Sequence, residues 1–208
     1  DDVIREMNRR TLLVSLASGV AVAGCAGGPL KERACVVAGA QPEGEHYRAG
    51  AALRSDITEG KPGIALLLLL QVVDAVSCAP LADAEVDVWH ADADGRYSDD
   101  VESGTEGETF LRGIQRTDES GACLIRTIFP GFYEGRTCHL YVKVRAAGLD
   151  ELTTQLYFPR DVILDVAPEY PAIGEYTTNL EDAFYEADNA LEVSGDISTE
   201  LEATAVLG

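Results

Sequence analysis

Ten consecutive residues constrain this chain more than any others. Ile64 to Val73 reads IALLLLLQVV, uncharged, between Pro62-Gly63 and Asp74. The run is about half as long as a membrane-spanning helix must be, so it is expected to form a strand buried on both faces. Such a strand needs partners, and the segments after it have the pattern of strands too. Ala84-Glu85-Val86-Asp87-Val88-Trp89 alternates small or apolar residues with acids, as a half-exposed strand should. Phe110 to Arg116 and Cys123 to Thr127 come next, joined by the turn residues Asp118-Glu119-Ser120-Gly121, and then Cys138 to Val144 and Thr153 to Phe158. Short strands at intervals of about 8 to 12 residues, without helical periodicity between them, predict an all-β domain, a sandwich or small barrel. Single helical turns are expected near Asp161 to Val166 and Glu181 to Tyr185.

The rest of the 208 residues arranges itself around that domain, taken as 63–188. Residues 1–30 read as an export signal of the twin-arginine type. Asn8-Arg9-Arg10 precedes the uncharged run Thr11 to Ala23, and Val22-Ala23-Gly24-Cys25 has the small-residue pattern of a lipoprotein cleavage box. Cys25 is then the lipidated residue, and the protein is expected to be an exported, cell-surface or periplasmic lipoprotein that meets the membrane only through its lipid anchor. Residues 31–62, rich in Gly, Pro and charge, read as an irregular N-terminal arm over the domain. Residues 189–208 are acidic, poor in aromatics, and expected to be a loosely held tail. The net charge of -20, from 16 Lys and Arg against 36 Asp and Glu, leaves no basic footprint for nucleic acid. With Cys25 set aside, Cys35, Cys78, Cys123 and Cys138 lack zinc-site spacing and suit disulfides outside the cytoplasm, in any of three pairings.

Chemistry concentrates in Thr127 to Tyr141, TIFPGFYEGRTCHLY. Pro130-Gly131 forces a reversal, after which Tyr133, Arg136, His139 and Tyr141 crowd into nine residues. If Cys138 to Val144 is a strand, His139 and Tyr141 share one face while Leu140 and Val142 enter the other. Two donors on one face beside a turn tyrosine make half of a metal site. Elsewhere the simpler readings prevail: His90 as a structural hydrogen-bonder, and Asp92 with Asp94 as turn residues rather than a Ca2+ loop.

The order of motifs adds to this. Pro80 to His90, Asp94-Gly95-Arg96-Tyr97-Ser98, Phe110 to Asp118, Thr127 to His139, Thr154-Gln155-Leu156-Tyr157-Phe158 and Thr177-Thr178-Asn179 together resemble the intradiol ring-cleavage dioxygenases, in their exported branch related to protocatechuate 3,4-dioxygenase and catechol 1,2-dioxygenase. The resemblance implies a β-sandwich that holds non-haem Fe(III) between tyrosinates and histidines. It implies cleavage of a small aromatic diol by O2 between its hydroxyls, giving a cis,cis-muconate-type diacid. Carried over, Tyr97 and Tyr133 are metal ligands, with Tyr133 the one that leaves to take a substrate proton, and Arg136 and Gln155 stabilise charge on the ring. The family's Arg-x-x-His-x-His reads Arg136-Thr137-Cys138-His139-Leu140-Tyr141 here, so the implied ligand set is Tyr97, Tyr133, His139 and Tyr141.

Fe(III) is hard and prefers anionic oxygen, which suits phenolates. A phenolate in place of an imidazole adds one negative charge at the iron and weakens its pull on substrate electrons. Tyr141 protonated and unbound is the other arrangement, and the arm departs from the family as well, with Glu43-Gly44-Glu45-His46-Tyr47 where relatives carry Glu-Gly-Pro before an aromatic. His46 then becomes a candidate for the missing imidazole. A reading from a different class keeps the sandwich without catalysis, as a binder of polyphenol or carbohydrate at the cell surface. The oligomeric state is left open.

Overall fold

Eight strands among the described residues divide into two four-stranded sheets, as the alternating segments require. The computed structural model describes residues 35–133, 135–170 and 177–208; the export segment and Cys25 lie outside them. In chain order the strands are β1 (Ala65–Val72), β2 (Glu85–Trp89), β3 (Arg112–Arg116), β4 (Ala122–Ile128), β5 (His139–Arg145), β6 (Leu152–Tyr157), β7 (Glu192–Asp196) and β8 (Glu200–Leu207), with one short helix, α1 (Arg160–Val166), between β6 and β7. One sheet runs β4-β1-β8-β7 and the other β3-β2-β5-β6.

Period-two alternation decides the core. Leu66, Leu68, Leu70 and Val72 of β1 meet Val86 and Val88 of β2 and Leu140, Val142 and Val144 of β5 in a single buried cluster. Burying each Leu or Val side chain contributes about 1.5–3 kcal/mol. The alternate positions of β1 differ from the expectation of burial on both faces: Leu67 is buried, Leu69 is partly covered and Gln71 is exposed. α1 starts directly after Pro159, whose missing N–H costs nothing at a helix start, and it buries Ile163 and Val166 at a spacing of three.

Two further expectations are corrected. β2 is not half-exposed, because the arm covers the outer face of its sheet: Asp87 is 2% exposed, and it accepts a hydrogen bond from Tyr47 of the arm (3.3 Å) beside Arg145 (3.7 Å). Nor are residues 189–208 a loose tail. β8 pairs in parallel with β1 from Leu66↔Leu201 to Val72↔Leu207, and Leu201, Ala203 and Leu207 sit in the core. Its acids alternate with these apolar residues and face outward, which made a strand look like an acidic tail.

The arm is irregular but tied down at many points. Gln41 N–H donates to Thr153 O (2.8 Å), Arg54 N–H to Ile114 O (2.9 Å), and Ile57 N–H to Arg126 O (3.0 Å). Cys35 is disulfide-bonded to Cys78, pinning the arm's start to the β1–β2 connection. Cys123 and Cys138 are buried free thiols, so only one of the possible bridges forms among the four cysteines.

His90, just after β2, is fully buried: Nδ1–H donates to Ala91 O (2.8 Å) and Nε2 accepts from Thr127 Oγ1 (2.6 Å). Burial, the largest cause, lowers its pKa to about 4. The folded state therefore keeps His90 neutral, while the unfolded chain binds a proton below about 6.5. The stability this confers is complete above that pH and is lost as pH falls toward 4, by roughly 3 kcal/mol. Asp87 works in the opposite sense, since burial raises its pKa to about 6 and folding then favours its protonated form. The expected result is that His90→Asn flattens the acid side of the stability profile: in urea unfolding at pH 7.5 and 4.5, the natural protein loses roughly 3 kcal/mol more than the variant.

Candidate functional site

Two turns and one strand bring the site together. The first turn is folded by Asp92, whose Oδ1 accepts from the backbone N–H groups of Asp94 (3.0 Å) and Arg96 (2.9 Å) and whose Oδ2 pairs with Lys61 Nζ (3.1 Å). Its oxygens are used in shaping the chain, and Tyr97 leaves the turn inward, 2% exposed. Arg112, at the start of β3, anchors the neighbouring Ser98: Nε donates to Ser98 Oγ (2.7 Å) and Nη2 to Ser98 O (2.7 Å).

The second turn docks on the first. Gly131 N–H donates to Asp92 O (3.0 Å), and a Cβ at position 131 would lie 2.4 Å from that same oxygen, so only glycine permits the approach. Tyr133 is thereby set edge-on to Tyr97, with ring centroids 5.7 Å apart. β5 then supplies His139 and Tyr141 on one face, as the strand period predicts, with Leu140 and Val142 in the core behind them.

These groups form a chain of contacts. Tyr97 Oη lies 3.4 Å from Tyr133 Oη, and Tyr133 Oη lies 3.0 Å from His139 Nε2. His139 Nδ1–H donates to Thr137 O (2.7 Å), which leaves the lone pair of Nε2 facing the phenols. Burial, ahead of Arg136, lowers the His139 pKa to about 3, so the ring is neutral. Burial also drives the Tyr97 and Tyr133 phenols well above their ordinary range, with neighbouring phenols adding to the effect. Phenolates here require a cation among them. Two phenol oxygens and one imidazole nitrogen in consecutive contact suit a hard trivalent metal.

Tyr141, the expected fourth donor, stands edge-on to His139 with ring centroids 4.9 Å apart and makes further contacts. Its ring stacks on Trp89 at 5.1 Å, and its hydroxyl accepts from Arg136 Nη1 (3.2 Å). Arg136 is held on its other sides by Gln155 Oε1 and by Asp182 Oδ2 (2.9 Å). Gln155 in turn donates from Nε2 to Pro42 O of the arm (2.9 Å), so the two residues expected to stabilise substrate charge form one connected group. His90 has both ring nitrogens occupied by Ala91 O and Thr127 Oγ1 and donates or accepts no hydrogen bond with this set.

Sequence reasoning missed Asp182, Thr137 and Arg112. Asp182 Oδ2 also accepts from Thr137 N–H (2.9 Å), while Thr137 Oγ1 donates to Asn179 Oδ1 (2.6 Å), so a single carboxylate and a single amide orient both Arg136 and the carbonyl that fixes His139. Their signal is tertiary: Asp182 sits 46 residues beyond Arg136 in an acidic stretch that nothing distinguishes.

Comparison with known proteins bears on the family and the fold. The sequence profile of the family described as Dioxygenase (Dioxygenase_C) matches residues 42–174. The chain is 32% identical over 143 residues to a chlorocatechol 1,2-dioxygenase of Cupriavidus pinatubonensis, covering 56% of this chain and 52% of that protein. It is 33% identical over 137 residues to a catechol 1,2-dioxygenase of Acinetobacter baylyi, covering 55% and 44%. The chain thus spans about half the length of the curated relatives it matches. Among solved structures, an intradiol ring-cleavage dioxygenase from Tetranychus urticae superposes with a TM-score of 0.78 at 27% identity, covering 84% of this chain and 94% of that one. The dioxygenase domain of a dioxygenase carbohydrate-binding protein fusion from Streptomyces sp. SirexAA-E superposes with a TM-score of 0.65 at 30% identity, covering 82% and 96%.

Proposed function

Because the chain belongs to the intradiol ring-cleavage dioxygenase family, we propose that it opens a catechol-type aromatic diol with O2 at a non-haem Fe(III) site held by Tyr97, Tyr133 and His139. The observation that carries this is the chain of contacts from Tyr97 Oη to Tyr133 Oη (3.4 Å) and on to His139 Nε2 (3.0 Å). When bound, Fe(III) supplies a strong Lewis acid that withdraws electron density from a chelated diol and makes its ring reactive toward O2.

The protein's own groups do the rest. Tyr133 Oη touches both Tyr97 and His139 and is placed to accept one hydroxyl proton of the incoming diol. The Arg136 guanidinium, gripped by Asp182, Gln155 and Tyr141, is a fixed cation beside the phenols and balances charge as the ring opens. Tyr47 packs at a tilt on Trp89, whose other side stacks on Tyr141, so three aromatic rings line the site's flank. One ring C–C bond and the O–O bond break, and both oxygen atoms end in the two carboxyl groups of a muconate-type diacid. Export with a lipid anchor at Cys25 is part of the same reading; the Cys35–Cys78 bridge supports it, as a bond suited to oxidising compartments.

Iron-supplied full-length protein is expected to be red-brown from phenolate-to-iron charge transfer, and to consume O2 with catechol while the ultraviolet absorbance of the diacid grows. A colourless protein that takes up no O2 would reject the proposal. Catechol binding without O2 uptake would favour the non-catalytic reading.

A further inference from the structure

Of the five phenylalanines in the chain, Phe110, Phe129, Phe132 and Phe158 are buried, whereas Phe184 remains 44% exposed. Core packing therefore does not account for it. The Arg136 guanidinium lies over the Phe184 ring, with Cζ 4.9 Å from the ring centroid. An aromatic face carries partial negative charge and attracts a cation, most strongly where water is excluded. The nitrogens of Arg136 are engaged elsewhere, Nε with Asp182 Oδ2 (2.9 Å), Nη1 with Tyr141 Oη (3.2 Å) and Nη2 with Gln155 Oε1. The ring adds a contact to this group that no hydrogen bond supplies.

Phe184 is itself tethered, although it lies at the surface. Its N–H donates to Asp182 Oδ1 (2.8 Å), and the other oxygen of that carboxylate grips Arg136. Its carbonyl accepts from Gln41 Nε2 of the arm (2.6 Å) and lies 2.7 Å from Tyr157 Oη. The next ring along the chain, Tyr185, stands edge-on to Tyr157 with centroids 5.2 Å apart. One carboxylate thus sets both the cation and the residue that covers it. The result is a guanidinium only 14% exposed. A charge shielded from water is screened less, so it acts more strongly on charge that develops beside it.

We propose, building on the ring-opening reading above, that Phe184 is a positioning residue of the site: its ring holds the Arg136 guanidinium against its hydrogen-bond partners and keeps water from it, so that the charge acts on the diol at full strength. Phe184 works through Arg136 and needs no contact with the substrate. The stretch from Asp182 to Phe184 then supplies both the counter-charge and the cover of one cation.

The test uses full-length protein and two readouts. Before iron is added, NMR follows exchange of the Arg136 Nε proton with water; after it is added, O2 uptake with catechol gives kcat and KM. Phe184→Ala is expected to speed the proton exchange about tenfold and to lower kcat about tenfold, with KM within a factor of about three. Phe184→Leu, which removes the ring face with less loss of packing, should change both quantities in the same direction. Phe184→Tyr, which keeps the ring, should stay within about threefold of the natural protein in both. Circular dichroism and melting of each variant separate loss of the cover from loss of fold. If folded Phe184→Ala and Phe184→Leu turn over like the natural protein, or exchange the Arg136 proton no faster, the assignment falls. A rise in KM alone makes Phe184 a wall of the substrate pocket, and equal losses in Phe184→Tyr make it a packing residue; either result overturns the assignment. A natural protein that takes up no O2 ends the ring-opening reading itself, and the role of Phe184 with it, even where the proton exchange responds as expected.

Discussion

Arg136→Ala is expected to reduce turnover with catechol by at least about 100-fold and to destabilise the fold by about 3–5 kcal/mol. The two losses have one origin. The Asp182 carboxylate is 0% exposed and Arg136 is 14% exposed, so the pair is buried, and removal of the guanidinium leaves a charge without a counterion. Asp182 Oδ2 would keep only the Thr137 N–H at 2.9 Å, and Tyr141 and Gln155 would each lose a donor. Arg136→Ala combined with Asp182→Asn separates stability from catalysis: it should recover a large part of the stability, because the orphaned charge is gone, and none of the turnover. Urea unfolding and O2 uptake read the two quantities. Full activity in Arg136→Ala would mean that the guanidinium is structural only.

Removal of residues 192–208 is expected to abolish the fold. β8 is an interior strand, flanked by β1 in parallel and β7 in antiparallel register, so its loss exposes the whole edge of β1 and opens the core beside Leu66, Leu68 and Leu70. Leu201 and Leu207 alone contribute about 1.5–3 kcal/mol each by burial, and the ladder along β1 is lost with them. Against a total stability of about 5–15 kcal/mol for a domain, the shortened chain should show no cooperative thermal transition. Leu201→Ala, which leaves the strand in place, should fold with a loss of about 2–5 kcal/mol. A shortened chain that melts like the natural protein would restore the picture of a dispensable tail.

These two cases show where sequence reasoning stopped. Tyr97 and Tyr133 stand out in the sequence through the order of motifs and His139 through a strand face of period two, and the structure brings the three side chains into one chain of contacts. Arg136 and Gln155 were legible by position, and the structure joins them in one hydrogen-bonded group. Tyr141 is marked as a donor by its strand face shared with His139 and by its place in a motif, and in the structure its hydroxyl also meets Arg136 and the arm backbone at Gly44. Asp182, which sets the site from behind, lies in a stretch whose composition suggests only solvent, and the Thr177-Thr178-Asn179 motif marks Asn179 without giving it a role.

By itself the sequence determined the strands, their alternation and the facing of His139 against Leu140, because these come from backbone geometry repeated every two residues. Tertiary structure alone decided which strand lies beside which, the burial of Asp87 under the arm, the insertion of β8 next to β1, and the meeting of His46 with Tyr97. The physical reason is range. Periodicity and turn chemistry act over a few bonds, whereas the partner of a charge, an edge or an aromatic ring is fixed only when distant segments compete for the same buried surface.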